Sequence, residues 1–265
     1  MIPPSTFLDY AHRYWAIYSR GTAEQRIATL IRTFISARLD SLKTWITYAV
    51  PSRCTPIWVA ASFNLEGTVH QLLEEGEDTN WQEEGNLLFV ASDQGYESLV
   101  KLLLDSGTSI NAAGEHGTAL YACADSDQYD IAHLLLSKGA DVDAQGGQYG
   151  TALQVACYRG RGHIVNMLLE KGANVNLVVQ GGMFATALHA ACYRNEQRIV
   201  ELLLEKGADV HPMGIGSFAT PLQAVCAGQV KIIIFKPRDT VINLLIEMGV
   251  DVNTRGGKYG TALQA

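Results

Sequence analysis

The chain has 265 residues, a formal net charge of −7, and is 48% hydrophobic and 18% charged, which is ample for a buried core and too apolar for a disordered chain. No run of about 18 apolar residues is present to cross a bilayer, and residues 1–10 lack the basic stretch and apolar core of a secretory signal, so a soluble cytoplasmic or nuclear protein is the expectation. Residues 1–54 sum to +4, residues 55–143 to −14 (sixteen acids against Lys101 and Lys138) and residues 144–265 to +3. The acidic middle third favours a basic partner, or basic loops nearby in the same assembly, and argues against contact with nucleic acid phosphates. The plainer reading is a solvated acidic surface.

Residues 1–52 do not repeat. Ser5 or Thr6 is placed to cap a helix carrying Phe7, Leu8, Ala11, Tyr14, Trp15 and Tyr18, which Gly21 breaks. Thr22 with Gln25 three residues later forms a capping box, and Ile27, Leu30, Ile31, Phe34 and Ile35 follow at helical spacing. Asp40 or Ser41 opens a third segment that Pro51 closes. This segment is expected to cover the open apolar face of whatever follows.

From residue 53 onward the chain repeats. A Thr-x-Leu triplet recurs at Thr55, Asn86 (a degenerate copy), Thr118, Thr151, Thr186, Thr220 and Thr261, at intervals of 31, 32, 33, 35, 34 and 41 residues. Sixteen residues after each of the first five anchors lies a leucine-type cluster, followed by a Gly such as Gly139, Gly172 or Gly207. Each unit therefore predicts two short antiparallel helices and a turn. The threonine hydroxyl caps the first helix. Small residues such as Ala156 and Cys157 let that helix lie close to its neighbours. The second helix buries a broad apolar face, as in Ile164, Val165, Met167, Leu168 and Leu169, and a left-handed glycine ends it. The run 143–150 is turn chemistry suited to a projecting hairpin. Such a unit cannot bury its own apolar face, so a stack is required.

The strings Thr186-Ala-Leu-His-Ala-Ala-Cys-Tyr-Arg and Ile199-Val-Glu-Leu-Leu-Leu-Glu-Lys-Gly-Ala-Asp-Val210 closely resemble the ankyrin repeat, and Thr55-Pro56 and Thr220-Pro221 keep the proline usual after its threonine. The resemblance covers residues 53–265 and implies an all-α ankyrin-repeat solenoid of helix pairs and hairpin loops behind a short helical N-terminal cap. About six repeats are complete. A seventh stops at Ala265, a raw edge that reads as a fragment or truncated product. The wording Gln-Gly-Gly-x-Tyr-Gly-Thr-Ala-Leu-Gln at 145–154, nearly repeated at 255–264, resembles arrays common in filamentous fungi. The run 7–15 resembles the helical linker after NACHT modules in fungal immune-receptor-like proteins, which implies a sensor arm as the alternative role. No phosphate-cradling loop motif occurs in the chain.

Two departures stand out. The Gly-His pair usual between the two helices is reduced to its glycine at Gly95-Tyr96 and Gly160-Arg161. About eight extra residues interrupt the sixth copy near 228–239, which fits a lengthened loop, an added strand-like turn or a gene-model error.

No catalytic, cofactor or metal constellation emerges. Cys123, Cys157, Cys192 and Cys226 recur at adjoining places in successive first helices, too far apart for easy disulfides, and no Cys-x-x-Cys pair is present. His189 lies where the family ties hairpin to helix, with Gln154 and Gln223 at the same place in neighbouring copies. Asp125, Asp127 and Asp130 lack the glycine and closing glutamate of a calcium loop and read as a polar inter-helix turn. The chain is therefore expected not to be an enzyme.

What remains is a surface. By resemblance, ankyrin arrays bind protein partners along hairpin tips and the exposed side of the first helices. The tips here present Trp81, Gln82, Glu83, His116, Gln148 and Tyr149, then Met183, Phe184, Phe218, Lys258 and Tyr259. The helix side presents Phe63, Asp93, Asp125, Tyr158, Arg159, Tyr193 and Arg194. Aromatics and arginines are the usual anchors of an interface. The repeated Tyr158-Arg159 and Tyr193-Arg194 pairs predict an aligned stripe, while the tip aromatics serve either as anchors or as braces between hairpins.

Overall fold

The computed structural model describes residues 56–62, 64–76, 86–114, 116–211, 218–228, 239–258 and 260–265. The expected helices of residues 1–52, together with Cys54, Phe63, Trp81, Gln82, Glu83, Tyr259 and nearly all of the 228–239 insertion, lie outside the described residues.

Helices come in pairs. The first two pairs are α1 (Pro56–Ser62) with α2 (Glu66–Glu74) and α3 (Leu87–Asp93) with α4 (Glu97–Asp105). The next three are α5 (Ala119–Ser126) with α6 (Tyr129–Ser137), α7 (Ala152–Arg159) with α8 (Gly162–Glu170), and α9 (Ala187–Arg194) with α10 (Gln197–Glu205). The last is α11 (Pro221–Ala227) with α12 (Asp239–Glu247). The molecule divides into two compact units between Ser109 and Ile110. In the first unit α1 packs on α3 and α2 on α4; in the second, α5, α7, α9 and α11 stack in order, with α6, α8, α10 and α12 stacked behind them.

The anchor residues cap as their chemistry dictates. Thr118, Thr151, Thr186 and Thr220 each accept through the hydroxyl from the backbone N–H three residues on, and the degenerate Asn86 does the same through Oδ1 from Phe89 at 2.6 Å. Between the helices of a pair the chain must turn left-handed. Gly95 and Gly160 do so at φ +78° and +74°, and Asn64, Asp127 and Asn195 adopt the same region at +54° to +67°. Asn and Asp are the non-glycine side chains that tolerate this conformation best, so the three serve the turn as glycine does at 95 and 160.

The first helices meet through small side chains. Ala122, Cys123, Ala156, Cys157, Ala190, Ala191, Cys192 and Ala224 are fully buried. Among the described residues Cys123, Cys157, Cys192 and Cys226 are thiols rather than disulfides, and burial pushes Cys157 and Cys192 well above their usual range. Before α7, Gln145–Gly146 (β1) pairs antiparallel with Gly150–Thr151 (β2), making the expected hairpin. A Cβ on Gly147 in its turn would lie 2.7 Å from both the His116 carbonyl oxygen and the Tyr121 ring, so only glycine fits there.

In the second unit three hairpins are each fastened by a buried side chain of the preceding first helix. Gln154 closes a capping box, accepting from Thr151 N–H at 2.9 Å, while its Nε2 donates to the Ala185 carbonyl at 3.0 Å in the next hairpin. Gln223 accepts from Ala219 N–H and donates to the carbonyls of Thr254, Gly256 and Gly260. Tyr121, at the same position, accepts from Tyr149 N–H at 3.3 Å. His189 meets the Thr186 hydroxyl at 2.9 Å through Nδ1, while its buried Nε2 has no hydrogen-bond partner.

Two tests follow from these ties. Gln154→Ala removes a wholly buried side chain and leaves both the Thr151 amide and the Ala185 carbonyl without this partner. It should cost about 2–3 kcal/mol in urea unfolding, against about 1 kcal/mol for a Thr151→Ala cap loss. His189 is the acid-sensitive member: burial drives its pKa down to about 4, with the nearby Ala219 backbone opposing the shift. The unfolded chain takes up this proton near pH 6.5 and the fold resists it to about 4. Stability is therefore intact above pH 6.5 and falls as pH drops through that window, by up to about 1.4 kcal/mol per unit. Melting His189→Gln beside wild type from pH 7.5 to 5 should show a shallower loss in the variant; parallel curves would contradict the assignment.

Candidate functional site: an aromatic and arginine strip on the first helices

In the second unit the hairpins and first helices together build a zipper of rings. Tyr149, Phe184 and Phe218 form one row, with centroids 6.1 and 6.2 Å apart and near-parallel planes. Tyr158 and Tyr193, at the ends of α7 and α9, form a second row at the same 6.2 Å step. The rows interlock: Tyr158 stacks on Tyr149 at 4.4 Å and tilts against Phe184 at 5.5 Å, and Tyr193 bridges Phe184 and Phe218 at 5.3 and 5.4 Å.

The tip aromatics expected at the open surface divide on this geometry. Phe184, Phe218 and Tyr149 are 1%, 4% and 8% exposed. They brace one hairpin against the next, because each ring is roofed by the helical tyrosines and by its neighbour in the row. Burial pushes Tyr149 up to about 12, helped by a hydrogen bond with the Tyr158 hydroxyl, and likewise lifts Tyr121 to about 12. Tyr158, Tyr193 and Met183 are half-buried, and His116, Gln148 and Lys258 are exposed. Met183 is fixed by its N–H donating to the Gln148 carbonyl at 3.1 Å, a backbone link from tip to tip.

The arginines lie over the tyrosines. The Arg159 guanidinium carbon is 5.8 and 5.6 Å from the Tyr149 and Tyr158 centroids, and that of Arg194 is 5.3 Å from Tyr158. Arg159 is also clamped by Asp125, Nε to Oδ1 at 2.5 Å and a terminal nitrogen to Oδ2 at 3.1 Å, and this bond raises its already high pKa. Asp127 faces Arg161 at 3.1 Å and His163 at 3.0 Å. Basic groups of the next repeat thus neutralise part of the acidic block, whereas Asp130 and Asp141 are exposed.

A further ladder was not anticipated from the sequence. Asn111 Oδ1 accepts from Asp141 N–H at 2.8 Å, the Asp143 carboxylate from Asn174 N–H at 2.9 Å, and Asn176 Oδ1 from Asp209 N–H at 2.7 Å. The signal was present as Asn or Asp at 111, 143 and 176, one repeat apart. Among the described residues no group of three or more His, Cys, Asp or Glu could hold a metal ion, and no helix is long and apolar enough to cross a membrane.

The family description "Ankyrin repeats (3 copies)" matches residues 57–146 and 147–214, more than half of the chain. The chain belongs to the ankyrin repeat family. The human ASB11 ankyrin repeat domain has the same fold, with a TM-score of 0.61 at 24% identity over 80% of this chain and 91% of that one. Among curated proteins, this ankyrin chain is 37% identical over 95 residues to alpha-latroinsectotoxin-Lt1a of Latrodectus tredecimguttatus, covering 35% of this chain and 7% of that protein. It is 33% identical over 130 residues to ankyrin repeat and KH domain-containing protein mask-1 of Caenorhabditis elegans, covering 47% and 5% respectively. The chain thus spans only a small part of the length of these relatives.

The zipper separates framework from surface. Phe184→Ala should destabilise the ankyrin array by about 3–5 kcal/mol, as a fully buried ring is lost. Tyr193→Ala, removing a half-exposed ring, should cost about 1–2 kcal/mol. Chemical denaturation of the two variants checks the order.

Proposed function

We propose that this chain is a protein–protein interaction scaffold that holds a macromolecular partner along its hairpin tips and first-helix faces. The observation that carries the reading is the strip of Tyr158, Arg159, Tyr193 and Arg194. These four side chains are partly exposed, evenly spaced and seated on a buried aromatic floor. A floor of that kind holds the anchors in place before a partner arrives, which lowers the ordering cost of binding. Met183, His116 and Lys258 extend the surface along the tips, and Trp81 and Tyr259 join it from the sequence reading. Tyr149, Phe184 and Phe218 support the strip from below. The net −14 over residues 55–143 favours a basic face on the partner opposite that stretch. Mostly buried thiols among the described residues accord with a reducing compartment such as the cytoplasm.

Affinity capture from the source organism tests the scaffold. Wild type is compared with a chain carrying Tyr158→Ala, Arg159→Ala, Tyr193→Ala and Arg194→Ala, shown folded by circular dichroism. The specific partner recovered with wild type is expected to disappear with the variant. Equal recovery would remove the strip from the binding surface.

A further inference from the structure

Arg159 and Arg194 stand at one place in successive repeats, eight residues after Thr151 and Thr186. Their surroundings differ. Arg159 receives a two-oxygen clamp from Asp125, which lies on the preceding first helix seven residues after Thr118. One repeat later the residue in Asp125's place is Tyr158, which has no carboxylate. Arg194 accordingly makes no ion pair among the described residues. Its guanidinium rests over the Tyr158 ring, and its Nε is buried without a hydrogen-bond acceptor. The carboxylate of the nearby Glu196 is packed against Gly160.

A guanidinium offers a planar fork of N–H groups that matches a carboxylate, and a desolvated N–H without an acceptor is costly. The array itself displays the matching geometry at Arg159 and omits the acid at Arg194. We propose that Arg194 is the receptor for a carboxylate of a protein partner, an Asp or Glu side chain that engages the terminal N–H groups of the fork, since Nε is covered and Tyr158 fills the place Asp125 takes beside Arg159. The carboxylate lies beside the Tyr158 and Tyr193 rings, which supply apolar contact to the chain that carries it. The surrounding charge agrees, since residues 144–265 carry +3. The inference rests on the scaffold reading and adds the chemistry of one contact to it.

A random short-peptide library displayed on phage and panned on the whole chain tests the proposal, with synthetic copies of the selected peptides measured by fluorescence anisotropy. The selected peptides should share an Asp or Glu at one position. Changing that residue to Asn or Gln, or Arg194→Gln in the array, should each weaken Kd on the order of tenfold or more. The double change should add little to either single one. Thermal melting shows whether Arg194→Gln is folded; Arg194→Lys, which keeps the charge and loses the fork, should retain part of the affinity. Peptides that need Tyr158 and Tyr193 but ignore Arg194→Gln overturn the carboxylate site and leave the scaffold standing. Binders indifferent to all three residues, or no binders, overturn both.

Discussion

The close approach of one first helix to the next governs everything else in the second unit. Alanine and cysteine at the contact, exemplified by Ala156, Cys157, Ala191 and Cys192, leave no room for an alternative spacing. A larger side chain there would push successive repeats apart, and every side chain that reaches across a repeat boundary would fall short. Cys157 and Cys192 belong to this constraint: they are small apolar spacers whose thiols burial keeps protonated.

A fixed step between repeats turns single contacts into ladders. The hairpin row and the helix row of the zipper advance by the same 6.1–6.2 Å, as expected if one displacement generates both. The Asn and Asp ladder repeats on the same step at the hairpin bases. Against such regularity, breaks in the pattern become informative. Asp125 continuing to Tyr158 breaks the row of acids while Arg159 continues to Arg194 unchanged. The array thereby carries one satisfied and one unsatisfied copy of the same fork.

How much could be read in advance depended on how far each contact reaches. The Thr-x-Leu anchors act within three residues of themselves, so their caps were legible, including the degenerate Asn86. Asp127 was legible as part of a polar turn, but its left-handed backbone, like that of Asn195, was not, because composition alone does not reveal a left-handed residue. The burial of Phe184 is decided by Tyr158, Tyr193, Tyr149 and Phe218, residues up to a full repeat away on either side, and both roles were open from the sequence. The Asp125–Arg159 clamp spans 34 residues, and it shows that an acidic stretch and the basic residues after it partly satisfy each other. Whether Asp125 faced outward or toward Arg159 was set by the stacking distance, which no local pattern encodes.

The buried ties all point the same way along the chain. Tyr121 reaches 28 residues ahead, Gln154 reaches 30 and 31, and Gln223 reaches 31 to 37. α5, α7 and α11 therefore each mould the hairpin that comes after them. This gives the array a polarity of construction: a unit appended downstream meets a finished socket. A unit inserted upstream must bring the right connector for the hairpin already there.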